Sequence, residues 1–122
     1  MAKTLGLAAA LMLGSAVPAL AESACQEPIA PAAVDGGTAS AAQLKSAVGD
    51  VKTFLKQSDD YQDCLWNELK ATNDAAKKDK KDPDPALEAD VRAKVAANQK
   101  LKERVGAEYN AAAQAYNAKH PG

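Results

Sequence analysis

Two cysteines, Cys25 and Cys64, carry the most distinctive chemistry in this sequence. They are 39 positions apart (64 − 25), far from the C-x-x-C spacing of a redox-active thiol pair. In an exported chain, two cysteines predict one structural disulfide. A bridge between two copies and a lipid attached to Cys25 are the alternatives that remain open. A lipid-attachment signal has Leu three residues before the cysteine, whereas Glu22 stands there in this chain.

The other reactive side chains do not form a recognisable catalytic or metal-binding pattern. His120 is the only histidine, and the sequence offers it no nucleophile with which to form a triad. Asp59, Asp60 and Asp63 fall within one helical turn, but they lack the loop carbonyls and the glycine of a calcium site. We therefore predict that the protein is not an enzyme and that it has no catalytic residue, no metal ligand and no cofactor.

Three polar residues, Ser58, Gln62 and Asn98, occupy positions where apolar residues are expected. The first two interrupt the apolar stripe of the first predicted helix, and the third interrupts that of the second. One interpretation is a wet or weakly packed level of the core. The other is a polar layer that fixes the register of the helices or the number of partners.

Aromatic residues at helical spacing are the candidate partner contacts. Tyr61, Trp66 and Tyr109 are assigned to this role, and Trp66 is the first choice because it flanks the apolar stripe. In a two-helix protein the same spacing also suits core residues, and that alternative stays open.

A helix must position most of these residues, and the sequence predicts one over residues 40–81. Apolar and small side chains recur every three or four residues along it, which brings them to one side of a helix. Ala47, Phe54 and Tyr61 widen this stripe. The stripe itself consists of Leu44, Val48, Val51, Leu55, Ser58, Gln62, Leu65, Leu69, Thr72 and Ala76.

A second helix is predicted over residues 85–119, followed by a tail of residues 120–122. Asp84 is a favoured N-cap and Pro85 a favoured first helical residue. The short connection makes the two helices antiparallel neighbours. The predicted fold class is therefore all-α, a long, coiled-coil-like hairpin of residues 40–119. The expected neighbours across the hairpin are Ser58 with Gly106, and Asn98 with Leu65 and Trp66.

The first 21 residues have the features of a secretory signal. Lys3 precedes an apolar run from Leu5 to Val17, and Ala19-Leu20-Ala21 is a small-x-small cleavage site. We expect export with cleavage after Ala21. The apolar run is too short for a comfortable membrane span, so membrane anchoring is not expected.

Between the signal and the hairpin, residues 22–39 form a predicted extended strap. Pro28 and Pro31 exclude a regular helix interior, and Asp35-Gly36-Gly37 is a turn signal. Ile29 and Val34 are the expected apolar anchors of the strap.

The strap is long enough to reach the second cysteine. The 15 residues (40 − 25) between Cys25 and Ser40 can span about 50 Å when extended. The helix between Ser40 and Cys64 measures only about 36 Å. The strap can therefore run back along the first helix and be tied to it by a disulfide.

The charge of the chain excludes some classes of partner. The full sequence has 15 Lys and Arg and 16 Asp and Glu, and removal of the signal with Lys3 leaves a net charge of −2 (14 − 16). A nearly neutral chain with few aromatic residues does not fit nucleic-acid binding. A domain this small generally needs a staple or a partner to be stable.

A resemblance to a known group adds to this interpretation. The pattern Cys25-x-x-Pro28-x-x-Pro31, the Asp35-Gly36 turn and Tyr61-x-x-Cys64-Leu65 resemble small exported helical proteins of Gram-negative bacteria, a group known only as uncharacterised. The resemblance covers the N-terminal half of the mature chain best. It implies a periplasmic location and a Cys25–Cys64 bridge, and it implies no activity.

Two functional hypotheses remain. The first is a periplasmic interaction or structural module that acts through helix–helix contacts, with itself as a homodimer or with another periplasmic protein. The second is a small-ligand or metal-binding protein that uses the polar layer of Ser58, Gln62 and Asn98.

Overall fold

The structure is a computed structural model, and it describes residues 23–121. The predicted signal, Glu22 and Gly122 lie outside the described residues. Within the described range the chain forms two helices and no strand. Helix α1 spans Ala41–Lys78 and helix α2 spans Pro85–Lys119, and the two pack against each other. The predicted all-α hairpin is confirmed.

Side chains and prolines define where the helices begin. Ser40 caps α1, because its Oγ accepts the Gln43 N–H while the Gln43 side chain accepts the Ser40 N–H. Asp84 caps α2 by accepting the Ala86 N–H at 2.9 Å, and Pro85 is the first helical residue. Both starts agree with the sequence analysis.

Helix α1 ends three residues earlier than the predicted residue 81. Lys80 adopts a left-handed conformation with φ of 55°, which breaks the helix. The Lys80 N–H then bonds to the Lys77 carbonyl at 3.1 Å and the Lys81 N–H to the Ala76 carbonyl at 2.8 Å. These two bonds form a Schellman motif, which is usually built on glycine rather than lysine. The absence of glycine is why the sequence did not indicate this end.

The buried row of α2 repeats every seven residues, as in a coiled coil. Its members are Val91, Asn98, Val105 and Ala112. The buried residues of α1 are Ala47, Phe54, Ser58, Tyr61, Leu65 and Leu69.

The buried side of α1 is rotated relative to the predicted stripe. Phe54 is 1% exposed, whereas its neighbour Leu55 is only half-buried. Val48 is likewise half-buried, while Ala47 is buried. The residues expected to widen the stripe are therefore its centre, because the strap packs on that flank of α1.

The register of the hairpin also differs from the expectation. Asn98 lies against Ser58 and Gln62, not against Leu65 and Trp66. A Cβ added to Gly106 would have no atom within 4 Å, so the predicted close contact of Gly106 with Ser58 was wrong. The earlier end of α1 moves the turn toward the N-terminus, and the register moves with it by about one helical turn.

The strap, residues 23–39, passes along α1 and reaches α2. It is disulfide-bonded to α1 at Cys64, and the Asp35 carbonyl accepts the Thr38 and Ala39 N–H groups in the predicted turn. Gly36 lies directly on α2, because a Cβ added there would be 1.8 Å from the Ala112 carbonyl oxygen. The strap therefore bridges both helices on one side of the hairpin.

The expectation that Ile29 anchors the strap was wrong. Ile29 is 91% exposed. Successive residues of an extended segment point to opposite sides, and its neighbours Pro28 and Ala30 are the half-buried ones. Val34, the other expected anchor, is half-buried and lines a cleft beneath the strap.

Candidate functional site

The disulfide joins the strap to the middle of α1. Cys25 and Cys64 are bonded within one chain, with their Cα atoms 5.7 Å apart, and the described residues include no free cysteine. The structure thus places this bridge within one chain. An intrachain disulfide is consistent with an oxidising, extracytoplasmic compartment.

Glu68 forms a second attachment beside the disulfide. Its carboxylate accepts the Ser23 hydroxyl at 2.7 Å and the Ala24 N–H at 2.9 Å. Glu68 stands one helical turn after Cys64, so both side chains leave α1 on the same face. The sequence analysis did not single out Glu68, although this spacing was available in the sequence.

The same three side chains come close enough to suggest a metal site. Ligand atoms of Cys25, Cys64 and Glu68 lie within 4.8 Å of one another. The sulfur atoms are bonded to each other, and metal binding needs thiolates. The Glu68 carboxylate is also already hydrogen-bonded to the strap. This group therefore fits a structural attachment rather than a metal centre.

The polar layer is compact and internally hydrogen-bonded. Ser58 is 0% and Asn98 is 1% exposed. Asn98 Nδ2 donates to Ser58 Oγ at 3.2 Å, and Gln62 Nε2 donates to Asn98 Oδ1 at 2.8 Å. Among the described residues, no buried side-chain nitrogen or oxygen lacks a partner. These three residues form one layer of the core, in which Ser58 and Asn98 are buried and Gln62 is half-buried.

Removal of the central member of this layer should be costly. We expect Asn98→Ala to lower the free energy of unfolding by about 2 kcal/mol, because Ser58 and Gln62 lose their buried partner. Urea denaturation followed by circular dichroism measures this change. Asn110→Ala, at an exposed position of the same helix, is the control and should change stability by less than about 0.5 kcal/mol. Equal effects of the two variants would contradict the assignment.

Tyr61 is a core residue in the structure. It is 6% exposed and packs in a cluster with Leu65, Leu69 and Val91. Burial raises the pKa of the Tyr61 hydroxyl, and the negative charge of Glu27 adds to the shift. Its assignment as a surface contact was therefore wrong, and the core alternative holds.

Trp66 lies at the surface with 36% of its area exposed. The guanidinium of Arg92, on α2, lies 5.5 Å from the centre of its ring, which is within cation–π distance. Arg92 is in turn held by Glu88, with the Nη2 to Oε1 distance at 2.8 Å. The pair spans the two helices near the hairpin turn and leaves part of the indole accessible.

One side of the hairpin is not covered by the strap. Helical spacing places one row of residues on each helix there, next to the buried rows. Gln62 and Gln99 join the two rows by a hydrogen bond of 3.4 Å. We call this surface the open face, and it consists of Val48, Leu55, Gln62 and Trp66 on α1 and Arg92, Gln99, Gly106 and Ala113 on α2.

The strap side contains a cleft of about 350 Å³ between the strap, α1 and α2. Val34 of the strap, Val51 of α1 and Val105 of α2 form apolar parts of its wall. Tyr109, one of the predicted partner contacts, is half-buried and also lines it. The polar layer does not line this cleft.

Comparisons with other proteins give no functional information. No known protein family matches the chain, and no curated protein and no solved structure matches it. In the part of the chain that the structure describes, neither helix is long and apolar enough to cross a membrane.

Proposed function

We propose that this protein is a non-enzymatic interaction module of the periplasm that pairs with a second copy of itself through helix–helix contacts. The open face is the observation that carries the proposal. On two helices of more than 30 residues each, on the side opposite the strap, it presents five apolar or small residues beside the polar Gln62, Arg92 and Gln99.

Three features support the proposed periplasmic location. The disulfide is consistent with an oxidising environment, the first 21 residues have the pattern of a secretory signal, and the resemblance stated above is to exported proteins. N-terminal sequencing of the protein purified from the periplasmic fraction should begin at Glu22. A chain that retains Met1 or Ala2 would contradict cleavage after Ala21.

The burial pattern favours a second copy as the partner. In the single chain Val48 and Leu55 stay half-buried beside the fully buried row. Gly106 has open space at its Cβ position, so it adds no side chain to the open face. A hairpin exposes one apolar side, and two hairpins packed by that side form a four-helix bundle, a common stable arrangement. The nearly neutral charge of the chain opposes such pairing little.

Oligomeric state tests this proposal. Sedimentation velocity of the oxidised protein should show a dimer, and Leu55→Lys should yield a monomer because it buries an unpaired charge in the interface. Thr53→Lys is the matched control, since it adds the same charge at an exposed position of α1 outside the open face. Trp66→Ala should weaken the dimer at least fivefold through loss of an aromatic contact at its edge.

The sedimentation results distinguish self-association from its absence. A dimer that Leu55→Lys dissociates and Thr53→Lys preserves supports the proposal. A wild-type protein that stays monomeric up to millimolar concentration would refute self-association. The polar layer is a poor ligand site, because Ser58, Gln62 and Asn98 already hydrogen-bond to one another.

A further inference from the structure

The cleft beneath the strap has an acidic lining. Asp35 of the strap, Asp50 of α1 and Glu108 of α2 all line it. No Lys, Arg or His belongs to its described lining. Three elements of the fold thus each contribute one carboxylate to the same cleft.

Of these three carboxylates, Asp50 is the one without a partner in the described part of the protein. Asp50 has no hydrogen bond and no ion pair among residues 23–121, and the positions three and four residues from it on α1 hold no cation. Asp35 Oδ1 accepts the Gly37 N–H at 2.9 Å. Glu108 lies 3.6 Å from Arg104, a long and exposed pair. By contrast, Asp60 is bound at 2.7 Å by Lys56.

The walls between the carboxylates are mostly apolar, with Thr38, Gln43 and Ser46 as their uncharged polar members. Val34, Val51 and Val105 approach from the strap, α1 and α2, and the ring of Tyr109 borders the same space. An apolar cleft with a few charged groups is the usual form of a small-molecule site. Here the charges are all negative, so the complementary ligand has an apolar body and a positive charge.

From this charge pattern we propose that the cleft binds a small organic cation of the primary alkylammonium class. The ammonium group lies at Asp50, and the alkyl chain packs on Val51 and Val105. A carboxylate ligand is excluded by repulsion, and an alcohol of the same length gains only the apolar contacts. This ligand site goes beyond self-association, since the strap cleft and the open face are separate surfaces.

Three ligands of equal chain length test the proposal by NMR titration of the ¹⁵N-labelled, oxidised protein. Hexylammonium should shift the amide signals of residues 34, 50 and 109, with an affinity at least five times that of 1-hexanol. Hexanoate should not shift them. Raising the salt concentration to 0.5 M should weaken hexylammonium binding more than hexanol binding, because salt screens charge interactions.

Two matched variants test which carboxylate binds the ammonium group. Asp50→Asn should weaken hexylammonium binding about fivefold and leave hexanol binding unchanged. Asp63→Asn removes a carboxylate of α1 that does not line the strap cleft, and it should have no effect on either ligand. The Leu55→Lys variant should retain hexylammonium binding, which separates the ligand site from the proposed dimer.

Two results would overturn the proposal. One is equal binding of hexylammonium and hexanol, which would make the cleft merely apolar. The other is binding of hexylammonium that Asp63→Asn weakens as much as Asp50→Asn does, which would reduce it to attraction by the overall charge.

Discussion

Replacement of both cysteines with serine should lower the free energy of unfolding by about 4 kcal/mol. The disulfide closes a loop of 39 residues, and chain-entropy estimates for a loop of this length give about 4 kcal/mol. The loss is large for a small domain, whose total stability is typically about 5–15 kcal/mol. Urea denaturation of the Cys25→Ser, Cys64→Ser double variant measures it directly.

Glu68→Gln provides the comparison, since it weakens the adjacent attachment of the strap and keeps the disulfide. Its cost should be about 1 kcal/mol, because Ser23 and Ala24 are near the surface and water can replace the carboxylate. A double cysteine variant that loses less than about 1 kcal/mol would show that the disulfide does not constrain the strap as described here.

The second large loss of stability is expected when Gly36 is replaced. A Cβ at this position would lie 1.8 Å from the Ala112 carbonyl oxygen and 2.6 Å from its carbonyl carbon. Both atoms belong to the backbone of α2, so they cannot move aside as a side chain would. Gly36→Ala should therefore push the strap away from α2 and cost about 3 kcal/mol, the upper end for overpacking.

Gly49→Ala is the matched control, because the same change is made in a helix with open space around it. No atom lies within 4 Å of a Cβ added to Gly49, so the variant should gain up to about 1 kcal/mol from helix propensity. Thermal unfolding followed by circular dichroism compares the two variants. Equal melting temperatures would contradict the close contact of the strap with α2.

The main features of the hairpin could be predicted because local signals determine them. The three-and-four spacing of apolar residues indicated both helices, and Asp84 with Pro85 marked the start of α2 correctly. The end of α1 was not predictable, because Lys80 takes a left-handed conformation that usually belongs to glycine.

The rotation of α1 and the register of the hairpin depend on contacts distant in sequence. The sequence analysis took Leu55 as central and Phe54 as peripheral, and their burial is the reverse. The strap causes this difference, since its packing on one flank of α1 makes that flank part of the core. Helical periodicity within α1 contains no information about such a contact.

The candidate site was predictable only in part. Ser58, Gln62 and Asn98 were correctly grouped as one polar layer. The strap cleft was not foreseen, because Asp35, Asp50 and Glu108 come from three elements whose arrangement depends on the register and on the path of the strap. Neither the register of the helices nor the path of the strap can be deduced from the spacing of residues along the sequence.

The central claim is that the strap packs across both helices, since this packing forms the cleft and leaves the opposite face open. The most direct measurement is a nuclear Overhauser spectrum of the oxidised protein in solution. The structure predicts cross-peaks between the α-protons of Gly36 and the protons of Ala112. Their absence, with Gly36 showing the narrow lines of a mobile segment, would contradict the claim.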